Sequence, residues 1–103
     1  MDSIHRIKET SELLSPSLLI YRDVVRENLL EMIKIARGVD RLRPHVKTHK
    51  MADIVQMSLA EGITKFKCAT IAEAEMVAAS GGNDVLLAYP LVGPNVRRFA
   101  RLA

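Results

Sequence analysis

The sequence predicts an α/β fold in which about four short strands alternate with four helices. Three observations predict it. The apolar runs are short, they lack a strict apolar–polar alternation, and apolar residues at helical spacing follow each of them. Such runs are typical of parallel strands that are covered on both faces. An open doubly wound sheet and a (β/α) barrel both satisfy this pattern.

The first strand–helix unit follows a polar lead-in, residues 1–14. Ser15-Pro16 interrupts the chain, because a residue before proline avoids the helical region. Residues 18–21 then predict a short buried strand. We expect Asp23 to cap the helix that follows and Gly38 to end it.

The other units repeat this order. Their predicted strands are residues 41–48, 66–69 and 85–89, and their helices are residues 52–61, the segment from Thr70 to about residue 80, and residues 94–102. Thr70 and Glu73 form a capping-box pattern. Gly93-Pro94 places proline at the first position of a helix, where it is favoured. With no linker or composition shift, residues 15–103 read as one unit.

Composition excludes several classes of protein. Hydrophobic residues make up 49% and charged residues 26%, which is typical of a globular chain and not of a disordered one. The longest uncharged apolar stretch, residues 85–92, is far shorter than the roughly 20 residues that cross a bilayer. Residues 1–15 are charged and lack the apolar core of a secretory signal. The one cysteine, Cys68, favours a reducing, cytoplasmic location.

The formal charge of +3 arises from one segment, residues 41–50, which we call the basic decapeptide. It contains four Lys and Arg residues and no acid. In an extended chain its odd positions share one face, and these are Arg43, His45, Lys47 and His49. Ligands bind at the carboxyl ends of parallel strands, where such a face suits a phosphate or a carboxylate.

Lys47 is the candidate nucleophile of this face. Neighbouring cations and a partly dry site favour the free amine of a lysine, which Schiff-base chemistry needs. The same surroundings suit an anionic cofactor that carries an aldehyde. A basic edge strand that discourages pairing explains the same residues equally well, and His45 and His49 are also typical of structural histidines. The decapeptide holds no Cys, Asp or Glu, so we predict no metal site in it.

The octapeptide Arg43-Pro44-His45-Val46-Lys47-Thr48-His49-Lys50 resembles the lysine-bearing strand of the D-threonine aldolase and D-serine dehydratase group. Residues 68–75 and 86–93 carry the resemblance further in the same order, and it covers roughly residues 15–103. That group belongs to the alanine-racemase-like, fold-type III enzymes, which depend on pyridoxal 5′-phosphate (PLP).

The resemblance implies a fold and a site. The fold would be a partial (β/α)8 barrel of the TIM type, with about four βα units, because a complete barrel needs about 250 residues. Lys47 would be the catalytic Schiff-base lysine, and we place His45 beside the cofactor. The substrate would be a β-hydroxy D-amino acid, cleaved as by a D-threonine aldolase or dehydrated as by a D-serine dehydratase.

Further partners follow from the same resemblance. It implies a divalent metal whose ligands would lie outside this chain, and a homodimer of the longer protein. Two other functions fit the residues: a non-catalytic PLP-binding protein, and a nucleic-acid-binding module that uses the basic decapeptide. Aromatic residues are only 4% of the chain and absent from the decapeptide, so we expect no nucleic acid partner.

Overall fold

The computed structural model describes residues 6–103. Residues 1–5, and with them the start of the predicted lead-in, lie outside the described part. The helices are α1 (Arg22–Ala36), α2 (Ala52–Ala60), α3 (Ile71–Ala79) and α4 (Pro94–Leu102). The strands are β1 (Lys65–Cys68) and β2 (Asp84–Leu87), and two 3-10 helices cover Val39–Arg41 and Val46–Thr48.

The two strands form a parallel pair. Their register runs from Lys65 opposite Asp84 to Cys68 opposite Leu87. They coincide within a residue or two with the third and fourth predicted strands, and α2, α3 and α4 lie where the sequence predicts helices. The α/β class is therefore confirmed, with a strand–helix–strand–helix unit over residues 65–102.

The first predicted strand, residues 18–21, is wrong. These residues are irregular and lead directly into α1, and Leu18 is 83% exposed. A strand is fixed by the neighbour that takes up its backbone hydrogen bonds, and the sheet of residues 6–103 contains β1 and β2 alone. With two strands instead of four, the described residues do not confirm the partial barrel.

The second predicted strand, residues 41–48, is also wrong. His45 forms an isolated parallel bridge with Lys67, and the carbonyl of Pro44 accepts the Lys67 N–H at 2.9 Å. The chain then coils into the 3-10 helix Val46–Thr48. Proline lacks the N–H that a longer ladder would need. The odd residues of the basic decapeptide therefore do not share one strand face.

The start of α1 differs from the prediction. Tyr21 occupies the N-cap position. Asp23 lies in the first turn, where its carboxylate interacts favourably with the helix dipole. The end is close to the prediction. Arg37 takes the left-handed conformation with φ 63°, and the Gly38 N–H closes the helix on the carbonyl of Ile33 at 3.2 Å.

The core lies where α2 and α3 cover the sheet. Its most deeply buried members have 0–1% exposure and comprise Val46, Val55, Ile63, Phe66, Cys68 and Val77. Cys68 thus packs as a small hydrophobic residue of the core, and its burial raises the pKa of the thiol. Because Val46 belongs to this core, the segment that carries Lys47 is anchored to the core beside β1.

The capping box of α3 is confirmed. The Glu73 N–H donates to Thr70 Oγ1 at 3.1 Å, and the Thr70 hydroxyl donates to Glu73 Oε2 at 2.8 Å. The other carboxylate oxygen accepts the Ala69 N–H at 3.3 Å, so the buried Glu73 side chain fastens the end of β1 to α3. None of the helices in residues 6–103 has the length and apolarity to cross a membrane.

Candidate active site

The 3-10 helix Val46–Thr48, which we call the Lys47 turn, lies at the carboxyl end of β1. Its place follows from the parallel bridge between His45 and Lys67, since the chain continues past that bridge in the direction of β1. Ligands of parallel α/β folds bind on this side of the sheet. The structure therefore puts Lys47 on the side where the sequence predicted a ligand.

The Lys47 turn has a buried side and an exposed side. Val46 is 1% exposed and packs in the core, while Lys47 and Thr48 are exposed. The carbonyl of Val46 accepts the N–H of Lys50 at 2.8 Å and that of His49 at 3.3 Å. The backbone is thus fixed, and the Lys47 amine is free to meet a ligand.

The two histidines of the basic decapeptide use their rings as backbone acceptors. Nδ1 of His45 accepts the Lys47 N–H at 3.2 Å, and Nδ1 of His49 accepts the Met51 N–H at 3.0 Å. An accepting Nδ1 requires the neutral imidazole with its proton on Nε2. Each ring therefore keeps one N–H that is still able to donate.

The electrostatics favour these neutral rings. Burial lowers the pKa of His45, the nearby ammonium groups of Lys47 and Lys67 lower it further, and the Glu73 carboxylate opposes them. Burial also lowers the pKa of His49. The sequence pattern assigns Glu73 to the capping box alone. Its electrostatic effect on His45 has no separate signal in the sequence.

Arg43 lies apart from the Lys47 turn. Its Nη1 atom is 2.8 Å from Asp84 Oδ1 and donates to the carbonyl of Phe66 at 3.0 Å. Asp84 begins β2, so this contact is at the opposite end of the sheet from Lys47. The hydrogen bond from Arg43 lowers the pKa of Asp84. Arg43 is therefore a structural residue, and the predicted cationic face is reduced to His45 and Lys47, with Lys67 near them.

An open cavity of about 520 Å³ lies beyond the carboxyl ends of β1 and β2. Among its lining residues are Ala69, Thr70, Tyr89, Asn95 and Arg98. It provides space for a small molecule on the same side of the sheet as the Lys47 turn. Within residues 6–103, no group of three or more His, Cys, Asp or Glu side chains is placed to hold a metal ion.

Known proteins resemble most of this chain. Residues 20–101 match the family described as alanine racemase, N-terminal domain. A D-threo-3-hydroxyaspartate dehydratase from Delftia sp. (strain HT23) is 37% identical over 79 residues, which cover 75% of this chain and 20% of the relative. A D-threonine aldolase from Arthrobacter sp. is 35% identical over 81 residues, which cover 78% of this chain and 21% of the relative.

The chain thus spans about a fifth of the length of these two relatives. The matched segment contains α1 to α3, all of α4 except its last residue, both strands and the whole basic decapeptide. The expected resemblance is confirmed at the level of the family. This chain belongs to the alanine racemase N-terminal domain family.

Proposed function

We propose that this chain supplies the cofactor lysine of a PLP-dependent lyase that acts on β-hydroxy D-amino acids. Lys47 is that lysine. The observation that carries the proposal is its placement: an exposed amine on an anchored one-turn helix at the carboxyl end of β1. The family supports the cofactor, because alanine-racemase-like fold-type III enzymes use PLP. The names of both relatives support the substrate class, since each denotes a D-amino acid with a β-hydroxyl group.

The residues present fit PLP. An aldehyde needs an accessible amine, which Lys47 offers, and a phosphate needs a cation nearby, which Lys67 offers beside His45. When bound, PLP supplies an electron sink for the charge that develops at Cα of an amino acid. The Lys47 amine would bind the cofactor and, once released, could move a proton at Cα. The Nε2–H of His45, whose ring contacts the Lys47 backbone, is a remaining donor that could orient the cofactor.

Two reactions fit this site. D-Threonine aldolase chemistry, which breaks the Cα–Cβ bond, is our first proposal, and dehydration of a β-hydroxy D-amino acid such as D-serine is the second. The relatives divide between the two in the same way. The products distinguish them, because aldol cleavage of D-threonine yields glycine and acetaldehyde, whereas dehydration yields ammonia and a keto acid. A protein that binds PLP and forms neither set would be a non-catalytic PLP-binding protein.

The wider architecture is part of the proposal. We propose that residues 15–103 contribute strand–helix units to a (β/α)8 barrel, that residues 1–14 form a lead-in, and that the longer protein is a cytoplasmic homodimer with a divalent metal. Within residues 6–103, β2 pairs with β1 alone, so its other edge is open, which supports further strands. We propose no nucleic acid partner for this protein.

Titration of the chain with PLP tests the assignment of Lys47. The visible absorption of lysine-bound PLP should develop with the native chain and be lost in Lys47→Ala. Lys50→Asn is the matched control, because it removes an exposed amine from the same decapeptide and asparagine tolerates the positive φ of 53° there. The control should bind as the native chain does. Equal absorption from Lys47→Ala and the native chain would overturn the proposal.

A further inference from the structure

Both histidines of the described residues make the same contact on either side of Lys47. Each Nδ1 accepts the main-chain N–H two residues ahead, from His45 to Lys47 and from His49 to Met51. His45 is the N-cap residue of the Lys47 turn, and Met51 is the N-cap residue of α2. One ring therefore fixes the entry to the turn, and the other fixes the exit from it.

These contacts satisfy N–H groups that have no partner within a helix. The first N–H groups of a helix need an external acceptor, and here an imidazole nitrogen serves where Ser, Asp or Asn is usual. The carbonyl of Val46 closes the turn between the two rings. Lys47 is thus held by its backbone on both sides, while its side chain remains exposed.

We propose that His45 and His49 are positioning residues that hold the Lys47 turn through neutral Nδ1 acceptors, so that protonation of either ring loosens the segment presenting Lys47. Their role for the cofactor lysine rests on the proposed function. The two hydrogen bonds do not, and they can be tested without a cofactor.

Protonation reverses the contact. A protonated ring carries N–H groups at both nitrogens, so Nδ1 can no longer accept and faces another donor. The groups around the rings set where this occurs. At His45 they are the cations Lys47 and Lys67 and the acid Glu73 on α3, whereas at His49 burial alone acts. Burial favours the neutral form of both rings, and the cations add to this at His45, so each contact is lost only as the pH falls through a pKa that lies below the ordinary histidine value of 6.5.

Conservative variants separate the acceptor from the titration. In His49→Asn or His45→Asn, the amide oxygen can accept the same N–H and does not ionise. In His49→Phe, an aromatic ring remains but the acceptor is lost. The asparagine variants should keep the Lys47 turn at acid pH, and the phenylalanine variant should loosen it at every pH.

Amide NMR of the full chain, without cofactor, tests the proposal directly. The Lys47 and Met51 amide resonances should move together with the ring protons of His45 and His49, respectively, as the pH falls below about 6.5. In His49→Asn the Met51 amide should no longer titrate while the Lys47 amide still does. In His49→Phe the exchange of the Met51 amide should accelerate about fivefold. The proposal would be overturned if the Lys47 and Met51 amides did not titrate with the rings in the native chain. It would also be overturned if the Met51 amide exchanged at the same rate in His49→Phe as in the native chain.

A second measurement separates this inference from the proposed function. PLP binding by Lys47 should weaken between pH 7 and pH 5 in the native chain, and less so in the double variant His45→Asn/His49→Asn. If the amides titrate with the rings but Lys47 binds no PLP at any pH, the proposed function is overturned and the hydrogen-bond inference stands. If Lys47 binds PLP but the amides do not titrate with the rings, the hydrogen-bond inference is overturned and the proposed function stands.

Discussion

The guanidinium of Arg43 lies 2.8 Å from the carboxylate of Asp84 and fastens the segment before Lys47 to the start of β2. The same Nη1 atom donates to the carbonyl of Phe66 in β1 at 3.0 Å. One side chain therefore contacts both strands of the sheet at the end opposite the Lys47 turn. Two residues later, His45 bridges to Lys67. The segment that carries Lys47 to the carboxyl end of β1 is thus held first at the amino end of the strands, by Arg43, and then along β1, by His45.

Arg43→Ala should lower the free energy of unfolding by about 1 kcal/mol, mainly because the half-buried contact to the Phe66 carbonyl is lost. Denaturant unfolding measures this. Asp84→Asn should have a smaller effect, since an exposed ion pair contributes little. Arg97→Ala, on the exposed side of α4, is the matched control and should leave stability unchanged. A larger loss from Asp84→Asn than from Arg43→Ala would contradict this view.

The Arg43 contact also predicts a pH effect. The hydrogen bond and charge of Arg43 lower the pKa of Asp84 from 3.8. A carboxyl group whose pKa is lower in the folded chain stabilises it above pH 3.8, and that stabilisation is lost as the pH falls through the lowered value. NMR titration of the Asp84 carboxyl should show the lowered pKa, and Arg43→Ala should raise it towards 3.8. An unchanged pKa in Arg43→Ala would refute the contact.

Core packing predicts unequal costs for the same substitution. Ile63 is 0% exposed beside β1, whereas Ile35 on α1 is 74% exposed. Ile63→Val should lower the free energy of unfolding by about 1 kcal/mol, because it removes a buried methylene group from a packed site. Ile35→Val should have almost no effect. Thermal unfolding compares the two variants, and equal shifts would mean that the core is placed incorrectly.

The capping box of α3 predicts the effect of removing one hydroxyl. Thr70→Val keeps the shape of the side chain but removes the acceptor of the Glu73 N–H and a donor to its carboxylate. The expected loss is about 1 kcal/mol of unfolding free energy, measured with urea. Thr64→Val is the matched control, because Thr64 is exposed and lies outside the helices and strands. The prediction fails if both variants unfold at the same urea concentration.

Much of the fold is visible in the sequence because local signals and burial agree there. Thr70 with Glu73, and Gly93 with Pro94, mark helix starts that the structure retains. The two incorrectly predicted strands are segments with an apolar or alternating pattern, and that pattern is the same whether or not the segment forms a strand. Residues 18–21 depend on a neighbouring strand for their conformation, and the sequence pattern does not report whether one is present.

The candidate site shows the same division. The family resemblance of the octapeptide around Lys47 is recognisable from its sequence, and the family comparison confirms the family. Its conformation is not recognisable, because alternation describes an extended strand, whereas Nδ1 of His45 captures the Lys47 N–H and starts a turn. Glu73 reaches His45 electrostatically from a helix 28 positions later in the chain, which no local pattern encodes.

The central claim is that Lys47 binds PLP. Incubation of the chain with PLP, reduction with borohydride and mass mapping of the peptides tests it most directly. The pyridoxyl group should lie predominantly on the peptide that contains Lys47, at neutral pH and at equimolar cofactor. A label spread evenly over exposed lysines such as Lys34 and Lys50, or concentrated on one of them, would contradict the claim.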